Sequence, residues 1–320
     1  MWGNTGRWAL LIGLVAVFSC KPFKRYGKGD VRELVVFLDQ RNQILPRLAP
    51  ALADTFYTPH PEPRFILIVP PLDSLSRYMG YRNTLVIAAP EMKTWPLYQK
   101  VFGEQRGLVF QRGVVYEDDH WIGIGAESWG ALENLLQTAL PTVRESLFEW
   151  ALRSYREREY FTGHNSKLRK IIRDRWHLDL DLPVGWAFFA QDSNFFALAK
   201  HYPDRFFFVY REPFPRPLKP EEILDLRDQL TRRYYEGDYV ERSRLRISHT
   251  TFLGHPALQI YGVWQNDSLY IGGPFLLYAF NRDSKDFVLL DMAVFAPEKD
   301  YKLSYLWRTE AFLKTLKFLE

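Results

Sequence analysis

Asp118, Asp119 and His120 stand side by side in VVYEDDHWIGIG, and carboxylates beside an imidazole are the groups that metal sites and general acid–base chemistry use. Three consecutive side chains on a tight turn cannot all converge on one ion, and no second cluster stands at ligand spacing. The triplet therefore reads first as a solvated hairpin turn. Asp291 is the other candidate, because it interrupts the apolar run FVLLDMAVF, where a buried carboxylate is costly unless it is paired. Alternation sets it with Phe287, Leu289, Ala293 and Phe295, opposite Val288, Leu290, Met292 and Val294. A half-exposed strand face accounts for it without catalysis.

Other chemistry finds less support. His249 and His255 flank TTFLG, but Gly254 and Pro256 predict a bend between them, so they read as unrelated histidines. Gly123-x-Gly125 ends a predicted strand ahead of a helix, as a dinucleotide site does, yet the third glycine and the following acidic strand end are missing. No G-x-S-x-G, Walker loop or H-E-x-x-H occurs. Nothing in the sequence requires a metal or another cofactor. Lys167, Arg169, Lys170, Arg173 and Arg175 read as the polar face of an amphipathic helix whose Leu168, Ile171 and Ile172 point inward.

YGVWQNDSLYIGGPF offers a binding surface instead: Tyr261, Trp264 and Tyr270 beside the backbone-exposing Gly272-Gly273-Pro274. A structural reading competes with it. Asn266-Asp267 form turns between runs of strand-favouring residues, so the stretch predicts a hairpin first. Alternation puts Leu258, Ile260, Gly262 and Trp264 on one face, with Trp264 in the core, and Gln259, Tyr261 and Val263 on the other. Gly272-Gly273-Pro274 then predicts a bulge or break.

The elements that must position these residues begin with an address. Arg7 precedes an apolar run from Ala9 to Phe18, too short for the roughly 20 residues a spanning helix needs. Cys20, the one cysteine in 320 residues, stands where that run ends. Val17-Phe18-Ser19-Cys20 resembles the lipobox of bacterial lipoproteins, in which the signal is cut before a cysteine that then carries lipid; Phe18 departs from the usual small residue. Residues 1–19 are expected to be a lipoprotein signal peptide and 20–30 a tether. Its basic residues Lys21, Lys24, Arg25 and Lys28 are attracted to anionic headgroups. With no acidic cluster after Cys20, the expected location is the periplasmic face of the outer membrane, inner-membrane anchoring being the alternative.

Without residues 1–19, which carry one arginine, the net charge falls from +4 to about +3. That balance argues against nucleic acid as a partner. The absence of a second cysteine excludes intrachain disulfides and thiolate zinc sites. Buried-strand patterns at 31–38, 65–69 and 84–89, a strand pair around 117–120, and helical patterns at 41–54, from Ser128 to about Tyr160, and at 167–176 describe an N-terminal α+β domain over 31–176. HLDLDLPVG (177–185) reads as a junction. The C-terminal α+β domain (184–320) is a mostly antiparallel sheet packed by helices, one opened by Pro220 and a last one carrying Leu306, Thr309, Phe312, Leu313 and Leu316 on one face.

GKGDVRELVVFLD, KLRKIIRDRWHLDLDLPVGW and GVWQNDSLYIGGPFLLYAFNRDSKDFVLLDMAVFAPEKDYK together resemble the Bacteroidetes lipoproteins of domain-of-unknown-function family 4837. The resemblance covers nearly the whole mature chain and implies a location and an architecture, without an activity. In element order the second half also resembles a PsbP-like α/β/α fold. The expected protein is a membrane-anchored binding or assembly module of the envelope, its partner another envelope protein, a glycan or a lipid. The alternative is an envelope hydrolase using Asp291 or the Asp118, Asp119 and His120 group.

Overall fold

Two sheets with opposite hydrophobic logic organise the chain in the computed structural model, which describes residues 26–283 and 285–319. The signal peptide, Cys20 and residues 21–25 of the tether lie outside the described residues. The first half runs β1 (Glu33–Phe37), α1 (Arg41–Leu52), the small hairpin β2 (Thr55–Tyr57) and β3 (Pro61–Pro63), and β4 (Ile66–Ile68). It continues with α2 (Leu75–Tyr78), β5 (Asn83–Ala88), α3 (Trp95–Phe102), β6 (Gly107–Arg112), β7 (His120–Gly125), α4 (Trp129–Glu159) and α5 (Ser166–Trp176). Its sheet has the order β4-β1-β5-β7-β6, parallel except for β6. β1 is apolar on both faces because both are covered: Leu34 and Val36 point to the centre of the molecule, Val35 and Phe37 towards α3.

The second half runs β8 (Leu178–Asp179), β9 (Ala187–Gln191), β10 (Phe195–Lys200), β11 (Asp204–Glu212), α6 (Pro220–Tyr234) and β12 (Tyr239–Phe252). After these come β13 (His255–Asn266), β14 (Ile271–Arg282), β15 (Asp286–Phe295), α7 (Leu303–Leu313) and β16 (Lys317–Phe318). The seven-stranded sheet has the order β12-β13-β14-β15-β11-β10-β9, antiparallel throughout. The fold class is α+β, as expected. α6 begins with Pro220 at its first turn, and Glu221 and Glu222 there and Arg232 and Arg233 at its end match the helix dipole. It covers the outer face of this sheet with Ile223, Leu226 and Leu230.

The inner faces of the two sheets share one core. α4 and α7 fill the space between them, and Trp307 of α7 meets both Phe65 (ring centroids 5.7 Å) and Phe148 (5.0 Å). α7 is therefore buried on nearly all sides rather than on one stripe. Glu62 ties the halves: it pairs with Arg32 at 2.6 Å and accepts the N–H groups of Lys302 and Leu303 at 2.9 and 2.8 Å, capping α7 across 240 residues of sequence. The segment read as a junction is packed into this shared core, with Leu178, Leu180 and Leu182 fully buried. The last stretch of the expected tether is likewise held. Gly27 N–H donates to Asp118 at 2.6 Å, the Arg82 guanidinium donates to Gly27 O at 3.1 Å, and Lys28 pairs with Tyr81 as a parallel bridge. No helix among the described residues is long and apolar enough to cross a membrane.

Candidate functional site

The hairpin forms as the alternation requires. β13 and β14 pair without interruption from Ala257–Phe280 to Asn266–Ile271, and Asn266 builds the turn between them. Its Oδ1 accepts from Ser268 N (3.1 Å), Ser268 Oγ (2.6 Å) and Leu269 N (3.1 Å), while its Nδ2 donates to Asp238 Oδ1 at 2.9 Å. Of the bulge or break expected at Gly272-Gly273-Pro274, no bulge is there. The ladder to β13 passes straight through, with Val263 opposite Pro274 and Trp264 opposite Gly273. On the other side, pairing with β15 starts only at Phe275 opposite Ala293, so Pro274 needs no N–H there. Both glycines keep negative or extended φ and serve close approach: a Cβ on Gly272 would lie 2.7 Å from the Trp264 carbonyl oxygen, and one on Gly273 would overlap the Val294 carbonyl.

The three aromatics do not share a face. Trp264 is buried in the outer core with Leu258 and Ile260. Tyr261 is buried in the central core, edge-on to Phe56 at 4.8 Å. Tyr270 is 94% exposed at the turn, with φ of 55°. What remains open is a cleft of about 520 Å³, lined by Trp264, Tyr270 and Gly272 together with Glu241, Arg244, Gln265 and Asp267. Its walls are set by neighbours: Tyr239 Oη donates to Asp267 at 2.8 Å and receives from the Gln265 amide, and Arg244 donates to Pro59 O at 3.2 Å. An exposed ring beside an amide, two carboxylates and a guanidinium suits a polar ligand with a flat apolar face.

The residues proposed for catalysis are all employed elsewhere. Asp119, expected to be solvated, is fully buried and accepts the N–H groups of Val114 (2.9 Å), Val115 (2.6 Å) and Tyr116 (2.8 Å), closing the loop from β6 to β7. Asp118 pairs with Arg82 at 2.8 Å and holds Gly27. His120 is buried between Phe110 (5.9 Å) and Trp150 (5.3 Å), and burial, with Arg112 and Arg153 nearby, pulls its pKa down to about 4. A solvated turn fails here because β7 lies within the sheet, so that its first residue is already inside. Asp291 does not sit on a half-exposed face either. It is 2% exposed under α6, where Arg227 donates at 2.7 and 3.4 Å; burial pushes its carboxyl up against the opposing pull of that guanidinium.

Gly123 and Gly125 have a packing reason, since a Cβ on Gly123 would meet Phe102 and Tyr98 at 2.9 Å and one on Gly125 would overlap the Tyr98 ring. His249 and His255 lie on the two arms of the β12–β13 hairpin, turned by Leu253 and Gly254 at positive φ. In α5, Leu168 and Ile172 point inward but Ile171 is 38% exposed, and Arg169 is drawn to Asp179 at 2.6 and 2.7 Å. Among the described residues no group of three or more His, Cys, Asp or Glu is placed to hold a metal ion.

Sequence reasoning missed a further buried acid. Glu310 of α7 accepts from Tyr278 Oη at 2.7 Å, its Oε2 has no hydrogen-bond partner among the described residues, and burial raises its pKa to about 7. A lone acid at the centre of an apolar helix was the available signal.

Residues 165–315 match the family described as a domain of unknown function (DUF4837), so the resemblance read from the sequence holds over those residues. No curated protein matches the chain. Similar solved structures include one from Bacteroides thetaiotaomicron, 11% identical, with 45% of this chain and 46% of that chain covered and a TM-score of 0.30. This chain thus spans about half the length of that protein. The Ran-binding protein Mog1p of Saccharomyces cerevisiae is 9% identical, covering 45% of this chain and 91% of its own, with a TM-score of 0.32. LpqN of Mycobacterium tuberculosis, involved in cell envelope biogenesis, is 12% identical, covering 45% and 83%, with a TM-score of 0.30. Likenesses of this size carry no functional argument.

Proposed function

We propose that this protein is a lipid-anchored binding or assembly module of the cell envelope, held through Cys20 on the periplasmic face of the outer membrane. One observation carries the binding reading: the carboxylates and the imidazole that a hydrolase would need are consumed by the scaffold, whereas the cleft beside Tyr270 stays open. The anchoring reading is supported by the single cysteine placed at the end of a short apolar run behind Arg7. Acyl chains on Cys20 would contribute about 0.8 kcal/mol per buried methylene, enough for several chains to hold a protein stably.

The cleft suits an envelope glycan. Tyr270 offers a ring face, and Gln265, Asp267, Glu241 and Arg244 offer donors and acceptors in fixed positions. A photo-crosslinking amino acid in place of Tyr270 tests this in intact cells. It should trap a glycan-bearing envelope component that the same amino acid in place of Phe214, which is also exposed, does not trap. Equal adducts from both positions, or none from 270, would count against the cleft.

A further inference from the structure

Three strongly exposed aromatic side chains fall close together. Phe161 (90% exposed) follows the C-terminus of α4, Tyr202 (97%) tips the β10–β11 hairpin, and Tyr26 (62%) is the first described residue. Glu159, two residues before Phe161, accepts from Lys200 at 3.0 Å and Arg205 at 2.9 Å, the residues on either side of the Tyr202 hairpin. Val184 N–H donates to Gly163 O, adding a half-exposed apolar side chain at the same place. Tyr26 and Phe161 line one groove of about 510 Å³, floored by Trp150 and edged by Arg82, Asp118 and Arg158. Tyr26, Phe161 and Tyr202 thus crown a single pole of the molecule. The β13–β14 turn lies at that same end of the large sheet, since Phe295 pairs with Asp204 and Ala293 with Phe275.

That pole is also where the chain comes up from Cys20. Six residue steps separate Cys20 from Tyr26 and span at most roughly 20 Å when fully extended. The slack that residues 26–30 were expected to add is absent, because Gly27 is bonded to Asp118 and Arg82 and Lys28 to Tyr81. A lipid on Cys20 therefore keeps this pole within about one tether length of the bilayer surface, however the body tilts. The chemistry fits such a surface. Aromatic rings with one wet edge sit at membrane–water interfaces, and exposed basic side chains lie alongside: Arg153, Arg156 and Arg158 on the last turns of α4, and Lys28.

We infer that the pole carrying Tyr26, Phe161 and Tyr202 is a membrane-contact surface, resting on the headgroup layer with these three rings at the interface and the arginines of α4 on anionic lipid. This rests on the reading of Cys20 as the lipidated residue. It goes beyond that reading in fixing which face looks at the bilayer, and it sets the Tyr270 cleft near the level of the headgroups.

The test uses the full chain, purified from cells and bound to vesicles of phosphatidylethanolamine and phosphatidylglycerol. Nitroxide labels are placed by Phe161→Cys and Tyr202→Cys, with Phe214→Cys as the reference. All three sites are exposed enough to leave the fold intact, and Phe214 follows Glu212, whose pairing with Phe287 puts it at the opposite end of the sheet. Flotation with the vesicles is read first. On floating protein, collisions of a water-soluble nickel chelate with the labels at 161 and 202 should be several-fold rarer than at 214, and collisions with oxygen more frequent. Floating protein whose three labels are equally open to the chelate would overturn the contact surface and leave the anchor standing. Labels open on vesicles but shielded in native envelopes would assign the pole to a protein partner and overturn the lipid assignment. Protein that does not float, and behaves as Cys20→Ala does, would overturn anchor and contact surface together.

Discussion

Two carboxyls lie buried on opposite sides of the seven-stranded sheet and are accommodated differently. On the outer side Asp291 faces the Arg227 guanidinium, which also lies over the Phe275 ring at 4.3 Å. On the inner side Glu310 receives a hydrogen bond from Tyr278, and its second oxygen has no hydrogen-bond partner among the described residues. Burial raises both carboxyls, but only Asp291 has a guanidinium at bonding distance to hold its charge. The outer side therefore holds an ion pair beneath one helix, and the inner side holds a carboxyl that burial makes a weaker acid, in the core that joins the two halves. Neither arrangement is open to a substrate, and that distinguishes both from the cleft beside Tyr270.

The largest expected effect comes from breaking the ion pair. Arg227→Ala should cost about 3 to 5 kcal/mol in denaturant melts, because it strands a buried charge. Joint replacement by Arg227→Met and Asp291→Leu should recover most of that loss, and a double variant no better than the single one would show that the pair is not the cause. Trp264→Ala, in the same outer core, should cost about 3 kcal/mol or more through the cavity it leaves. A midpoint unchanged by Trp264→Ala would contradict its placement.

The raised carboxyl of Glu310 gives stability a pH dependence of definite sign. Glu310 has its folded pKa raised from 4.5 to about 7, so the native state binds the proton more tightly than the unfolded chain. Stability from this group is present below about pH 4.5 and declines as pH rises through about 7, by up to about 3 kcal/mol. His120 acts in the opposite sense: with its pKa lowered from 6.5 to about 4, its contribution is present above about pH 6.5 and is lost as pH falls through about 4. The two slopes oppose each other between these limits. Glu310→Gln should abolish the decline towards pH 7, leaving the rise due to His120 exposed in melts across that range. A profile unchanged by Glu310→Gln would mean that the carboxyl is ionised in the core.

Smaller effects follow at the hairpin. Gly273→Ala should cost about 1 to 3 kcal/mol, since its Cβ meets the Val294 carbonyl and β14 has to shift. Tyr270→Ala should move the melting midpoint by no more than about 0.5 kcal/mol while removing the ring that lines the cleft.

How much of this was legible depends on how far apart the partners stand. The β13–β14 hairpin, the burial of Trp264 and the start of α6 at Pro220 follow from alternation, turn chemistry and capping, all local signals. Asp291 reads from the sequence as half-exposed because its partner Arg227 lies 64 residues away on another element. Tyr261 read as a surface ring because Phe56, which covers it, belongs to the other half of the chain. The cap that Glu62 places on α7 could not be read locally for the same reason. HLDLDL, read as a junction, also alternates strictly, as a half-buried strand does, and its three leucines are in the core.

The proposed lipid on Cys20 underlies both the proposed envelope location and the proposed orientation of the molecule. Metabolic labelling with a radioactive fatty acid tests it most directly, comparing the wild-type chain with Cys20→Ala in the same cells. Label is expected in the wild type and none in the variant, which should be released from the membrane fraction. Equal labelling of the two, or none in either with both proteins soluble, would contradict it.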